Sequence, residues 1–332
     1  MYKDFFGFKE RPFNLVPDPV YLFLSKSHEE AMAHLTYAMI QGDGFVEITG
    51  EVGTGKTTLC RAFLENLDKN AKAAYIFNPK LNSIQLIKAI NDEFGISSEA
   101  DNTKGLIDTL NFFLIEKKAE GKNILLIIDE AQNLTNEVME QLRLLSNLET
   151  TRHKLLQIIL VGQTELGEKL DSHVLRQLAQ RITLSCKLIP LSYKEVREYI
   201  QHRINIASGK PGIKFARIAY WAIYRYSRGI PRLINIVCDR ALLTAFGLDQ
   251  QRITGNIVRS SIRELTSRSG VRRYSLLKKK KAMLFLSVLF ITLLMIIFYR
   301  PRFLNVNAIF NSPESKKPDI SQPENLTMPA PA

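Results

Sequence analysis

The stretch FVEITGEVGTGKTTLCRAFLENL, residues 45–67, decides the fold. Its first five residues are mostly apolar and read as a buried strand. Gly50-Glu51-Val52-Gly53-Thr54-Gly55-Lys56-Thr57 then satisfies G-x-x-x-x-G-K-[ST], and TLCRAFLENL continues as a helix. The strand–loop–helix context gives the motif its meaning. Glycines 50, 53 and 55 let the loop bend until its N–H groups face a polyphosphate, and the helix N-terminus adds a dipole favourable to anions. Lys56 is expected at the β- and γ-phosphates, the Thr57 hydroxyl on Mg²⁺, and Thr58 at the edge of the same cradle.

Working outward, short apolar runs alternate with longer amphipathic stretches. AAYIF (73–77), ILLIID (124–129), LLQIILV (155–161) and ITLSCKL (182–188) join FVEIT (45–49) as predicted strands. They lack period-two alternation, as strands of a parallel sheet covered on both faces do. Leu106, Leu110, Phe113 and Leu114 stand at helical spacing in one of the crossovers. The rhythm is that of a doubly wound α/β domain. After Pro190 it changes. Ser192-Tyr-Lys-Glu195 is a capping box, Val196, Tyr199, Ile200 and Ile204 follow at helical spacing, and helices are expected at 214–227, 232–246 and 254–266. The reading divides the chain into an α/β core with an aromatic N-terminal segment (1–189) and a small all-helical lid (190–266).

ILLIID ends in Asp129-Glu130. An Asp at the carboxyl end of a buried strand needs a cation or donors, which assigns Asp129 with Thr57 to magnesium. Glu130 is placed to orient or deprotonate an attacking water. Gln163, directly after the strand LLQIILV, is a candidate partner for that water or the γ-phosphate. Arg181, just before the last strand, and Arg176, five residues earlier, are candidates to reach a neighbouring subunit's nucleotide. Arg232, in Gly229-Ile-Pro-Arg, opens a lid helix and is a candidate γ-phosphate sensor.

Composition sets the outer bounds. The 332 residues are 45% apolar, which excludes a wholly disordered chain. The formal charge of +12 is uneven: residues 263–332 hold 12 Lys/Arg against 4 Asp/Glu. A nucleic-acid partner is therefore not required by the total, and no helix-turn-helix segment is recognisable. Cys60, Cys186 and Cys238 are odd in number and widely spaced, which supports neither a disulfide framework nor a zinc site. Ala282 to Tyr299 runs 18 residues without a charge, ~27 Å as a helix and close to the hydrocarbon thickness. It is expected to be one transmembrane helix. Seven Lys/Arg in 267–281, a basic juxtamembrane linker, against two in 300–314 orient residues 1–281 toward the cytoplasm and place the basic flank on anionic lipid. The tail 300–332, with six prolines, reads as a flexible extracytoplasmic stub.

The order of phosphate loop, IIDE, strand-then-Gln, the Arg181 box and Gly-x-Pro-Arg resembles the AAA+ ATPases. More narrowly, YKDFFGFKERPFNLVPDP (2–19), YLFLSKSHEEAMAHLTYAM (21–39), LLIIDEAQNL (125–134), ILVGQTEL (159–166), LRQLAQRI (175–182) and SRGIPRLIN (227–235) resemble the general secretion pathway protein A (ExeA/GspA-like) group. The resemblance covers roughly 1–266. It implies an ATP- and Mg²⁺-dependent ATPase that forms a homo-oligomeric ring, anchored in the inner membrane. Its partners would be components of a secretion, pilus or polysaccharide-export apparatus. By analogy the aromatic N-terminal segment lies near the adenine. Relatives in type II secretion often continue into a peptidoglycan-binding domain, for which the 33 residues after the apolar stretch are too few. Position 164 is Thr where Pro is common. Origin-recognition and transposition ATPases share the same motifs, which makes a DNA-associated ATPase the competing class, and a scaffold that binds ATP without turnover is the third.

Overall fold

The computed structural model describes residues 1–268 apart from 42, 43, 78, 98, 99, 151–153 and 209–212, together with 287 and 290–292. Met1–Arg268 is one compact unit. The expected transmembrane helix at 282–299 lies, but for those few positions, outside the described residues. Among the described residues no helix is long and apolar enough to cross a membrane.

Five parallel strands form the central sheet: β1 Phe45–Gly50, β2 Ala71–Phe77, β3 Asn123–Asp129, β4 Gln157–Gly162 and β5 Ile182–Leu188, in the order β2-β3-β4-β1-β5. β1, β4 and most of β3 are buried along their whole length, which explains the missing alternation. Alternate residues still divide between two faces. Phe45, Leu126, Ile128, Ile158 and Leu160 pack into one cluster, with Leu86, Leu106, Leu110, Leu114 and Leu142. Val46, Ile48, Leu125, Ile127, Ile159 and Val161 pack into the other, with Ala31, Leu35, Leu59 and Phe63. The helices before β5 are α1 Tyr2–Phe5, α2 Lys26–Gln41, α3 Lys56–Glu65, α4 Ser83–Phe94, α5 Thr103–Ala119, α6 Asn136–Leu145, α7 Thr164–Leu170 and α8 Arg176–Ala179. The fold is an α/β P-loop fold with a parallel sheet flanked by helices.

Beyond β5 come α9 Tyr193–Ala207, α10 Arg217–Ser227, α11 Pro231–Gly247 and α12 Gly255–Arg268. The Ser192/Glu195 capping box is formed in both directions. Two findings differ from the sequence reading. The region is not all-helical: β6 Lys214–Phe215 pairs in parallel with β7 Arg252–Ile253. Two residues are too few to leave a periodic signal. The aromatic N-terminal segment, read with the α/β core, instead places Tyr2, Phe6, Phe8, Phe13 and Tyr21 in the cluster built by α9 to α12. Backbone bonds fix it there, Lys9 N–H donating to the Ala207 carbonyl (2.8 Å). Four helices alone leave apolar surface uncovered, and the N-terminal rings cover it.

Candidate functional site

Gly53 (φ +86°) and Gly55 (φ +107°) take the left-handed conformation that a side chain resists, and so turn the phosphate loop between β1 and α3. Thr54 Oγ donates to the Glu51 carbonyl (2.9 Å), closing the turn, while Glu51 and Val52 stand exposed. Lys56 is buried and its ammonium donates to the carbonyls of Gly50 (2.8 Å) and Glu51 (3.1 Å). Burial pushes its pKa below the usual lysine range, opposed by the carboxylates of Glu130 and Asp129. Thr58, half-buried, begins the α3 wall of the same cleft.

β3 delivers the two carboxylates. Asp129 is fully buried and accepts three hydrogen bonds: from Thr57 Oγ (2.7 Å), Tyr75 Oη (2.8 Å) and the Glu130 N–H (2.9 Å). Glu130 takes a left-handed backbone (φ 58°) that swings its side chain out of the strand direction. Its Oε2 accepts from Gln132 Nε2 (2.6 Å) and Gln163 Nε2 (3.1 Å), and Gln163 N–H donates to Gln132 Oε1 (3.1 Å). Gln163 and Glu130 are therefore in contact, and Gln132, which the sequence reading passed over, holds both. Its signal was its position two residues after Glu130. Gly162 makes room, since a Cβ there would come within 2.8 Å of Gln132 Oε1.

Three more elements close the cleft. Arg232 N–H, in the first turn of α11, donates to the Gly53 carbonyl (3.2 Å), and a Cβ on Gly53 would meet Arg232 Cβ at 2.6 Å. That close approach is a second reason for glycine at 53. The Arg232 side chain is exposed and lines the cleft. From α2, His28 Nε2 lies 3.1 Å from the Thr54 carbonyl and Nδ1 2.6 Å from Ser25 Oγ. A carbonyl only accepts, so Nε2 carries the proton and Nδ1 accepts from Ser25. Burial lowers the His28 pKa and keeps the ring in this neutral form. Asn14, Leu15, Pro17 and Asp18 of the N-terminal segment line the same cleft as a strap. Buried Arg203 of α9 holds the strap, Nε donating to the Pro12 carbonyl (2.5 Å) and Nη2 to that of Asn14 (3.3 Å), with its guanidinium over the Tyr21 ring. His28, Tyr75 and Arg203 escaped the sequence reading because each bonds across a large sequence separation and none belongs to a short motif.

The two remaining arginines lie elsewhere. Arg181 precedes β5, and its backbone carbonyl accepts from Phe45 N–H at the beginning of β1, the end opposite the phosphate loop. Its Nη1 donates to Ser146 Oγ (2.6 Å), Asn147 Oδ1 (2.6 Å) and the Arg143 carbonyl (3.3 Å), capping the end of α6 within the same chain. Arg176 is exposed at the start of α8.

The residues present fit a magnesium nucleotide. A glycine cradle, a buried ammonium and a hydroxyl bonded to a buried carboxylate supply donors for phosphate and oxygen ligands for a hard cation. Among the described residues no cluster of three His, Cys, Asp or Glu offers a competing metal site. The three cysteines are free and buried.

Sheet order, phosphate loop and carboxylate pair together define a P-loop protein of the AAA type, and residues 39–170 match the AAA domain family. The chain is homologous to General secretion pathway protein A of Aeromonas hydrophila, with 45% identity over 273 residues, 82% of this chain. Those residues span 49% of that protein, so the chain corresponds to about half the length of its curated relative. Among solved structures the fold is similar to the Aeropyrum pernix ORC2 protein in its ADPNP–ADP complexes (20% identity, 77% of this chain and 72% of that one, TM-score 0.58). It is also similar to the Thermotoga maritima RuvB Holliday junction branch migration motor (19% identity, 75% and 74%, TM-score 0.53). At these identities the two structures speak to the fold alone.

Proposed function

We propose that the protein is a membrane-anchored ATPase that hydrolyses Mg·ATP to drive assembly of an envelope secretion, pilus or polysaccharide-export apparatus. The observation that carries the hydrolytic part is the constellation of Lys56, Thr57, Asp129 and Glu130 around one glycine loop. Lys56 and the loop N–H groups would hold the β- and γ-phosphates, and Thr57 and Asp129 would hold the cation. Bound Mg²⁺ would supply neutralisation of phosphate charge. Glu130 accepts the proton of the attacking water, and Gln163, which touches it, fixes the carboxylate's direction. Arg232, bonded through its backbone to Gly53, couples the loop to α11, so occupancy of the cleft is read by the helical part. The apparatus served is inferred from the name of the Aeromonas relative, and the anchor from the 18 uncharged residues at 282–299. The ring follows from the general habit of AAA ATPases.

Two variants test the chemistry. Lys56→Ala should lose nucleotide binding; ordinary ATP affinity in that variant removes Lys56 from the phosphates. Glu130→Gln should bind ATP normally and hydrolyse it slower by on the order of 10²-fold or more, the usual weight of a general base. Unchanged turnover assigns the water to another group. Mass spectrometry of proteins retained by the full-length Glu130→Gln chain with ATP then addresses the apparatus. Envelope assembly components support the reading, whereas replication proteins with bound DNA replace it.

A further inference from the structure

The sequence places one cluster of positive charge at the juxtamembrane run, yet residues 214–262 themselves hold eight Lys/Arg against two Asp/Glu. The fold gathers most of them. Lys214 and Arg252 are register partners in the parallel β6/β7 pair and both are exposed, so two like charges stand side by side where a bound anion would relieve their repulsion. Each strand leads within two residues into a helix, so α10 and α12 start side by side, with Gly255 against Ile218. Both helix N-termini add positive potential there.

From that corner one stripe runs along α10. Arg217, Trp221 and Arg225 follow at spacings of four, hence on one face of the helix, Arg228 stands just past its end, and all four are exposed. Ile218 (57% exposed) and Trp221 (52%) supply apolar surface within it, and the Arg225 guanidinium lies 5.4 Å from the centre of the Trp221 ring. Arg259 and Arg263 continue the charge along exposed positions of α12. Among the described residues none of these cations is within 4 Å of a carboxylate, whereas Arg240 of the same region pairs with Glu264.

We propose that this face docks on the headgroups of anionic phospholipid. An interfacial tryptophan beside an isoleucine, ringed by unpaired arginines, is the composition of a surface that sits at the headgroup level. The chain favours lipid over another polyanion by where it goes next. Thirteen residues after Arg268, six of them Lys or Arg, lead to the uncharged stretch at 282. The inference is additional to the membrane-anchor reading and shares its orientation. Attraction between these arginines and anionic headgroups is screened by salt, so the face adds a salt-sensitive attachment to that of the apolar segment.

Trp221 is the single tryptophan of the chain, so its fluorescence reports on this face alone. The full-length protein is reconstituted with vesicles of phosphatidylcholine, or of phosphatidylcholine with phosphatidylglycerol, and flotation is scored separately. In the anionic vesicles Trp221 should shift to the blue, lose access to aqueous iodide and be quenched by brominated phosphatidylglycerol. High salt, or the triple variant Arg217→Glu, Arg228→Glu, Arg259→Glu, should restore iodide access. Equal iodide access in both vesicles overturns the proposal, and this is read on the unmodified chain. Shielding of Trp221 by duplex DNA but not by anionic vesicles also overturns it, in favour of nucleic acid. A chain that floats with Trp221 exposed keeps its anchor and loses this face. A chain that binds only anionic vesicles, with Trp221 shielded, keeps the face and loses the anchor.

Discussion

His28 illustrates how one buried side chain ties the phosphate loop to the rest of the protein. It sits on α2 and is almost fully buried, and through Nε2–H it holds the Thr54 carbonyl in place. Burial disfavours its charged form and outweighs the two opposing influences, the hydrogen bond to the Thr54 carbonyl and then the Glu195 carboxylate. Because the folded pKa lies below the ordinary value near 6.5, the unfolded chain binds the proton first. The stability His28 contributes is thus complete above about pH 6.5 and is lost as pH falls through the lowered pKa. His202, on α9, is depressed by burial too, so wild type alone does not isolate the effect. A melting-temperature profile from pH 8 to 5 should fall less steeply in His28→Gln than in wild type, and ATP affinity should follow the same trend. Parallel profiles would assign the acid sensitivity to His202 or the carboxylates. Residues such as Lys56 and Asp129 were legible because a contiguous motif carries them. His28, Tyr75 and Arg203 were not, because each is defined by a contact 26 to 191 residues away.

Gly229 is the position where elements depend most on a missing side chain. It takes φ +83°, and a Cβ there would fall 2.0 Å from the Leu191 carbonyl oxygen and 2.8 Å from the Leu191 nitrogen. Leu191 N–H in turn donates to the Gly229 carbonyl (2.9 Å), which joins the start of the α9 arm to the turn between α10 and α11. Since backbone rather than a flexible side chain is in the way, the junction must open to admit a methyl group. Gly229→Ala should cost roughly 3 kcal/mol or more, from the left-handed backbone and the clash together. It should also weaken nucleotide binding, because Arg232 reaches Gly53 only with α11 in its present place. Chemical denaturation with and without nucleotide measures both. A loss below 1 kcal/mol would mean the junction yields easily. At this scale the sequence was a good guide: five strands begin and end within two residues of where the apolar runs put them, and all four helices expected after Pro190 form, although the first two residues of the 214–227 stretch are strand β6. What it did not convey was the two-residue β6/β7 pair, too short for a period, and the lodging of the N-terminal rings among α9 to α12. Periodicity names a buried face but not what buries it.

At the scale of the whole molecule, the proposed ring requires one subunit to act on its neighbour's nucleotide, and the fold separates the two candidate arginines for that role. Arg181 is spent inside its own chain, its Nη1 holding three acceptors at the end of α6. Arg176 is exposed five residues earlier, on the short helix α8. A side chain that must cross to a second nucleotide cannot also serve as a cap at home, so within the proposed ring Arg176 is the stronger candidate for the finger. Arg181→Ala should therefore lower folding stability by about 1–3 kcal/mol, as loss of a partner for several acceptors does. Arg176→Ala should leave the melting temperature unchanged and reduce turnover by on the order of 10³-fold, with ATP binding intact. Mixing tests whether the effect passes between subunits. Lys56→Ala lacks its own nucleotide but keeps Arg176; Arg176→Ala keeps its nucleotide but lacks the finger. Each alone should be inactive, and the mixture should recover activity that rises with total protein concentration, because only a mixed contact brings a filled site to an intact arginine. No recovery on mixing, with full activity in Arg176→Ala, would return the role to Arg181 or to no arginine in trans.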